Sequence, residues 1–383
     1  MNCYKIFETI DSLNADYVKA WVDVCNIESP TKFKAGVDAC GEYFADLARA
    51  RGWKVEYFRQ PVAGDVVDIT MNPDADAQPI IFSGHLDTVH PVGSFGTPAV
   101  KIDGNKMYGP GVTDCKGGAV AAMLAMDALD KCGFRARPVK LILQTDEEVS
   151  SMISNKATIG YMCARALESV AFLNLEGHSA GEACIQRKGT ITFTFTVEGI
   201  EAHGSNCATA GASAILEAAH KIIELEKLKD NEGLTCNCGV ISGGSVPNTV
   251  PGHCEFKANI RFANSDQLAW VRTHVKEIAE KVYVPGCKTM VNDPPGRVAM
   301  EYSEKNVALL ARINEIFVEN GLSELKASKR KGASDAADVT AAGAACIDSL
   351  GVRGGKIHSP NEYAYIDSLA ESAKRLAAVA VNI

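Results

Sequence analysis

Gly189–Gly199 reads GTITFTFTVEG, and this stretch decides how the chain divides. Ile191, Phe193, Phe195 and Val197 fall on one face, with threonines on the other. Strict two-residue alternation describes a strand packed on one side and wet on the other, the habit of antiparallel sheets. The strands expected before it differ. PIIFSGHLD (79–87), PVKLILQTDEE (138–148) and VAFLNLEG (170–177) are mainly apolar runs, as strands buried on both faces are. WKVEYFR (53–59) is a further strand. Helical patterns separate them: NADYVKAWVDVCNI (14–27), SPTKFKAGVDACGEYFADLARARG (29–52), closed by Gly52, and the Ala-rich GGAVAAMLAMDALDKCG (117–133). Such alternation argues for an α/β sheet covered on both faces.

From Gly189 onward the order becomes strand, helix (211–228), strand (235–244), strand (253–262), helix (265–282, opened by Ser265 as cap) and strand (287–292). That β-α-β-β-α-β order predicts a small two-layer sandwich of the ferredoxin-like type. After NDPPGR (292–297) the helix–strand style returns, with SEKNVALLARINEIFVENG (303–321), AACIDSLG (344–351) and a last helix from Asp367. The expected architecture is one α/β domain, residues 1–186 and 294–383, interrupted by an inserted α+β domain, residues 187–293.

With 46% hydrophobic and 22% charged residues, the composition is that of a globular protein. A net charge of −8 makes a nucleic-acid backbone a poor partner. No apolar run is long enough to predict a membrane span, and the N-terminal stretch has no secretory pattern. Thirteen cysteines, scattered without framework spacing, suggest reduced thiols and a cytoplasmic location. The pair Cys236 and Cys238 lacks a second pair, so no structural zinc is expected there.

Polar residues gather where strands end: His85 and Asp87, Asp114 in GPGVTDCKGG, Glu147 and Glu148 in TDEEVSS, Glu176 in LEGHSAGE, and His358 in GGKIHSPNEY. Ligands of open α/β sheets bind at the carboxyl ends of strands. So many acids converging there would repel one another without cations between them. Mixed imidazole and carboxylate donors suit zinc, and less selectively cobalt or manganese. Each residue taken alone has a plainer reading. Asp114 could cap the helix that follows it, paired glutamates are usually solvated, and His358 could be an ordinary loop histidine. The ordered set, each member following a strand, favours a metal site. His90, His220, His253 and His274 are read as structural or surface residues.

SGHLDTV, GPGVTDCKGG, TDEEVSS, LEGHSAGE, GTITFTFTVEGIEAHGS, GGSVPNTVPGHCEFKANIRF and KGASDAADVTAAG…DSLGVRGGKIHSPNEYAYI resemble, in order, the motifs of one family. It comprises the dinuclear-zinc metallopeptidases that include aminoacylase, succinyl-diaminopimelate desuccinylase, peptidase T and bacterial glutamate carboxypeptidase; the last two segments look most like the carboxypeptidase. The resemblance implies a three-layer catalytic domain with an inserted lid or dimerisation domain. It implies His85 and Glu176 on one zinc, Glu148 and His358 on the other, and Asp114 bridging both. Asp87 would fix the His85 ring, both side chains leaving the same strand face. Glu147 would be the general base. The peptide bond after Asp114 would be cis. His203 would stabilise the oxyanion, reaching a neighbouring subunit's site, and Asn248 and Arg261 would clamp a substrate carboxylate, with Lys188 as a further cation. The strand GTITFTFTVEG and the helices beside it would form a homodimer interface.

The pattern departs from the family in DEEVSS, LEGHSA, AHGSN and KGASDA, yet every implied ligand is present. The changes near His203 and Gly332 bear on substrate identity. The implied activity is metal-dependent release of a C-terminal amino acid, glutamate first, from a peptide or N-acyl amino acid. An N-acyl-amino-acid deacylase or dipeptidase shares the same catalytic residues; a catalytically silent binding protein on this fold is the reading from another class.

Overall fold

Ile80–His85, Val139–Gln144 and Ala171–Asn174 run parallel at the heart of a six-stranded sheet. Its order is Lys54–Phe58, Val66–Met71, Val139–Gln144, Ile80–His85, Ala171–Asn174 and Cys346–Ile347. Val66–Met71 is antiparallel to both of its neighbours. The computed structural model describes residues 3–179, 181–230 and 233–383; Met1, Asn2, Ala180, within the LEGHSAGE motif, Asn231 and Glu232 lie outside the described residues.

Both faces of this sheet are covered, which is why Val66–Met71, Ile80–His85 and Ala171–Asn174 are buried end to end, whereas the edge strand Lys54–Phe58 is not. Ile80, Phe82, Leu141, Leu143 and Leu173 join one large core with the helices Cys3–Cys25, Lys116–Lys131 and Ser368–Asn382. The alternating residues Ile81, Ile142, Phe172 and Cys346 are also buried but point the other way. On that side the helices Ala157–Leu167 and Asp335–Ala341 pack together and against the sheet. The result is the expected three-layer α/β arrangement. Lys116–Lys131 is the central helix, buried on nearly every side. Its alanines let the two flanking helices approach closely.

The chain divides into two compact units: Met1–Ile185 with Tyr302–Lys329 and Ser334–Ile383, and Gln186–Glu301 with Arg330–Ala333. The second unit runs past Asp293 because Arg297 and Met300 bridge back to Thr190 and Arg187. Its four-stranded sheet has the order Thr235–Gly243, His253–Phe262, Gly189–Glu198, Lys288–Val291, with the helices Ala214–Glu226 and Ser265–Glu280 packed on it. This is the ferredoxin-like sandwich. Ile191, Phe193, Phe195 and Val197 are buried in its core, as the alternation requires.

One local expectation needs correction. The cap of Ser265–Glu280 is Asn264, whose Oδ1 accepts from the Gln267 N–H at 2.8 Å; adjacent Asn and Ser are both good caps, and the chain uses the first. Asp114 does not cap the central helix, whose N-cap is Cys115 without a side-chain bond. Gly189–Glu198 is paired on both sides, by His253–Phe262 and Lys288–Val291, so it offers no free edge along those pairings. The long unpaired edge among the described residues is Thr235–Gly243. Among the described residues no helix is long and apolar enough to cross a membrane.

Candidate metal centre and active site

His85 is the last residue of its strand, Glu147 begins the 3-10 turn Glu147–Val149 just beyond Val139–Gln144, and Glu176 follows Ala171–Asn174. Because the three strands are parallel, all three residues emerge at one edge, the carboxyl end of the sheet. Asp114 arrives from the loop leading into the central helix, and His358 from the loop before Tyr363–Tyr365, with φ of 58°.

These side chains converge. His85 Nε2 lies 3.0 Å from Asp114 Oδ1 and 3.6 Å from Glu176 Oε1. His358 Nε2 lies 3.2 Å from Asp114 Oδ2 and 3.1 Å from Glu148 Oε2. The two oxygens of Asp114 therefore face different imidazoles. Asp114 and Glu148 are nearly enclosed, at 7% and 5% side-chain exposure, whereas His358 is 53% exposed and marks the open side. The Asp114–Cys115 peptide is cis.

Asp87 organises the floor. Its Oδ1 accepts from the Glu147 N–H and its Oδ2 from the Glu148 N–H, each at 3.2 Å, while the Thr31 hydroxyl donates to Oδ2 at 2.8 Å. The nearest contact to His85 Nδ1 is the Asp87 carbonyl, at 2.9 Å; the carboxylate is 3.4 Å away. The strand ends at His85, so Asp87 lies just beyond it, in the irregular chain that leads to the bridge between Thr88 and Pro30, rather than on a shared strand face. One residue aims both the imidazole and the paired glutamates.

The electrostatics follow from this crowding. Hydrogen bonds to Asp114 and then Glu148 push His358 up to about 11, against its desolvation. Burial opposes a proton on His85, yet the Cys115 thiol, Asp114 and Asp87 hold it well above the ordinary imidazole value. Burial would raise Asp114, but His358 and His85 keep it below the usual carboxylate range. Burial, joined by the Asp114 and Glu147 charges, pushes Glu148 up to about 7 against the pull of His358. A site that drives its imidazoles to hold protons is built for positive charge. Divalent cations meet that demand with neutral imidazoles and ionised carboxylates. The donor set of two imidazoles and three carboxylates fits such ions. Two overlapping groups, His85–Asp114–Glu148 and His85–Cys115–Glu176, each bring their ligand atoms within 4.8 Å of one another.

The model of peptidase family M20/M25/M40 matches residues 81–382. The chain belongs to peptidase family M20/M25/M40. Carboxypeptidase G2 of Pseudomonas sp. (strain RS-16) is 23% identical over 368 residues, covering 94% of this chain and 87% of that protein. A succinyl-diaminopimelate desuccinylase of Erythrobacter litoralis is 27% identical over 212 residues, 52% of this chain and 55% of that one. Aminopeptidase PepT of Bacillus cereus shares the fold, with a TM-score of 0.77 at 20% identity over 96% and 97% of the two chains. This M20 chain is a hydrolytic enzyme acting on peptide or amide bonds.

Sequence patterns do not single out four residues that lie around this candidate site: Thr31, Cys115, His90 and Glu362. Thr31 and Cys115 touch Asp87 and the His85 backbone. His90, read as structural or surface, is buried and paired with Glu362. Cys115 follows Asp114 and Glu362 stands in the HSPNE motif, so both lay beside expected ligands. His203, Asn248 and Arg261 belong to the second unit. His203 pairs in register with Thr249, and the Gly204 N–H donates to the Asn248 carbonyl at 2.6 Å, so those two expected residues are neighbours. Arg261 lies on the polar face of its strand and donates to the Lys331 carbonyl.

Proposed function

We propose that the enzyme is a dinuclear-zinc amidohydrolase that releases a C-terminal amino acid, glutamate first, from a peptide or N-acyl amino acid. One observation carries this reading: a single carboxylate, Asp114, faces His85 with one oxygen and His358 with the other, beside the buried Glu147. His85 and Glu176 would hold one ion, Glu148 and His358 the second, and Asp114 would serve both. Such ions supply Lewis acidity to the scissile carbonyl and to the attacking water. The Glu147 carboxylate takes the proton from that water and delivers it to the leaving amine nitrogen. Asp87 keeps Glu147 in place through its N–H and fixes the His85 ring.

The second unit supplies the remaining roles. The His203 imidazole donates to the developing oxyanion. Arg261 and Asn248 grip the α-carboxylate of the released residue, a task suited to the planar guanidinium. The enzyme works in the cytoplasm as a homodimer. Carboxypeptidase G2, a relative matched over 94% of this chain, supports the carboxypeptidase reading over a desuccinylase or dipeptidase.

Glutamate release from N-benzoylglutamate tests it, comparing zinc-loaded protein, chelated protein and Glu147→Gln. Release that needs both zinc and Glu147 is expected. A zinc-loaded protein inert toward this substrate but active on another acyl-amino acid would replace the substrate and keep the mechanism. Equal activity in Glu147→Gln would remove the base.

A further inference from the structure

Glu362 is a carboxylate 1% exposed, set beside a cluster of other acids. An isolated buried charge is costly unless hydrogen-bonded, and this one is bonded at both oxygens. Its Oε1 accepts from the Thr113 N–H at 2.9 Å and the Asp114 N–H at 3.1 Å. Its Oε2 accepts from the Gly111 N–H at 3.3 Å and from His90 Nε2 at 2.9 Å. In the last pair the imidazole is the donor, because a carboxylate only accepts. Main-chain bonds reinforce the link: the Gly109 N–H donates to the Glu362 carbonyl and the Thr113 hydroxyl to the Tyr363 carbonyl.

The consequence lies in what these segments carry. Residues 109–114 end in Asp114, and Glu362 follows His358 on one short loop, with the Glu362 N–H turned back on the Ser359 carbonyl at 3.1 Å. The two oxygens of Asp114 must point at different imidazoles, so the pitch of its backbone decides whether both are reached. We propose that Glu362 is the positioning residue of the metal centre, with His90 as its orienting partner: its carboxylate fixes the Asp114 and His358 loops in the one alignment that serves both ions. The inference rests on the metal reading above and deepens it. Glu362 touches neither substrate nor ion; it acts through the backbone of Asp114.

The chemistry of substitution follows. In Glu362→Gln one of the two oxygens becomes an NH2 group, and either orientation turns donors toward donors. His90→Phe removes one donor and keeps the ring volume; His90→Gln can still offer an N–H to Oε2.

The test measures zinc affinity by chelator competition and the visible absorption of the cobalt-loaded proteins, with circular dichroism of the chelated proteins as the fold control. Outer-shell partners of metal ligands are worth roughly 10–100-fold in affinity. Glu362→Gln should lose affinity in that range and shift the cobalt absorption, His90→Phe should lose less, and His90→Gln should stay near wild type. Folded Glu362→Gln that binds two ions with wild-type affinity and spectrum overturns the proposal. Should Glu362→Gln not fold, identical affinities for His90→Phe, His90→Gln and wild type overturn it. A wild-type chain that binds no metal would instead remove the metal reading itself, so the two failures are distinguishable.

Discussion

Asp127 shows how one residue ties stability to pH away from the metal centre. It sits on the central helix, 3% exposed, and its Oδ2 accepts from the Tyr17 hydroxyl at 2.9 Å and from Arg51 Nη2 at 2.8 Å. Burial works to raise its pKa, but Arg51, Tyr17 and Lys131 outweigh it and hold the carboxyl below its ordinary value. A carboxyl depressed in the folded state contributes its full stability above the unfolded pKa, near 3.9, and loses it as pH falls through the folded value. Asp127→Asn keeps an acceptor for Tyr17 but leaves Arg51 without its counter-charge. Arg51 is partly solvated, so the loss at pH 7 should be about 2 kcal/mol, below that for a fully buried pair. Urea denaturation of the chelated proteins should show that gap at pH 7 and its closure toward pH 3. A gap independent of pH would mean that packing, not charge, explains the loss.

At the scale of elements, two glycines in helices make opposite predictions. A Cβ on Gly118, in the first turn of the central helix, would collide with the backbone of Leu175, the residue before Glu176. A Cβ on Gly160, in Ala157–Leu167, meets nothing within 4 Å. Alanine is the better helix former by about 1 kcal/mol, so Gly160→Ala should stabilise by up to that amount. Gly118→Ala should destabilise by about 1–3 kcal/mol, the usual cost of overpacking, and weaken zinc binding through the displaced Glu176 segment. Denaturation midpoints and chelator competition read both; stabilisation of both proteins would show that the Leu175 backbone yields freely.

The same contrast between local and distant causes explains what was legible in the sequence. The parallel strands announced themselves as apolar runs, and the acids and histidines after them could be collected in order. Val66–Met71 did not, because Asp68 interrupts it. Asp68 is fully buried yet satisfied by Lys140 at 3.1 Å and the Tyr161 hydroxyl at 2.9 Å, partners supplied by elements far along the chain. Glu362 and His90 were invisible for the same reason: 272 positions separate them, and only the fold brings them to 2.9 Å. Glu147 and Glu148 close the expected strand segment, and the turn Glu147–Val149 that separates them from it bonds through its N–H groups to the remote Asp87 carboxylate, a partner that local sequence does not reveal.

For the whole molecule, the proposed homodimer needs a surface on which two copies can meet. Gly189–Glu198 is paired on both sides, and of the sheet's two edge strands, Thr235–Gly243 and Lys288–Val291, the first is the longer. That edge exposes Val240 and Ile241 at 58% and 51%, and the helix Ala214–Glu226, which packs against the same strand, exposes Leu216 and Ile223 at 51% and 55%. A long unpaired strand with apolar residues is a liability in a monomer and a template for pairing with a second copy. We therefore expect wild-type protein to have twice the monomer mass by light scattering, and Ile241→Glu, which places a charge at the edge, to shift it toward monomer. The variant lies in the unit that carries none of the proposed metal ligands, so its zinc stoichiometry should be unchanged. If His203 serves the partner's site, turnover should fall with the dimer while both ions stay bound, and recover at high protein concentration. A metal-loaded monomer with full activity would place His203 in its own subunit's reaction or outside the reaction altogether, and a wild-type monomer would show that this edge is covered by something other than a second copy.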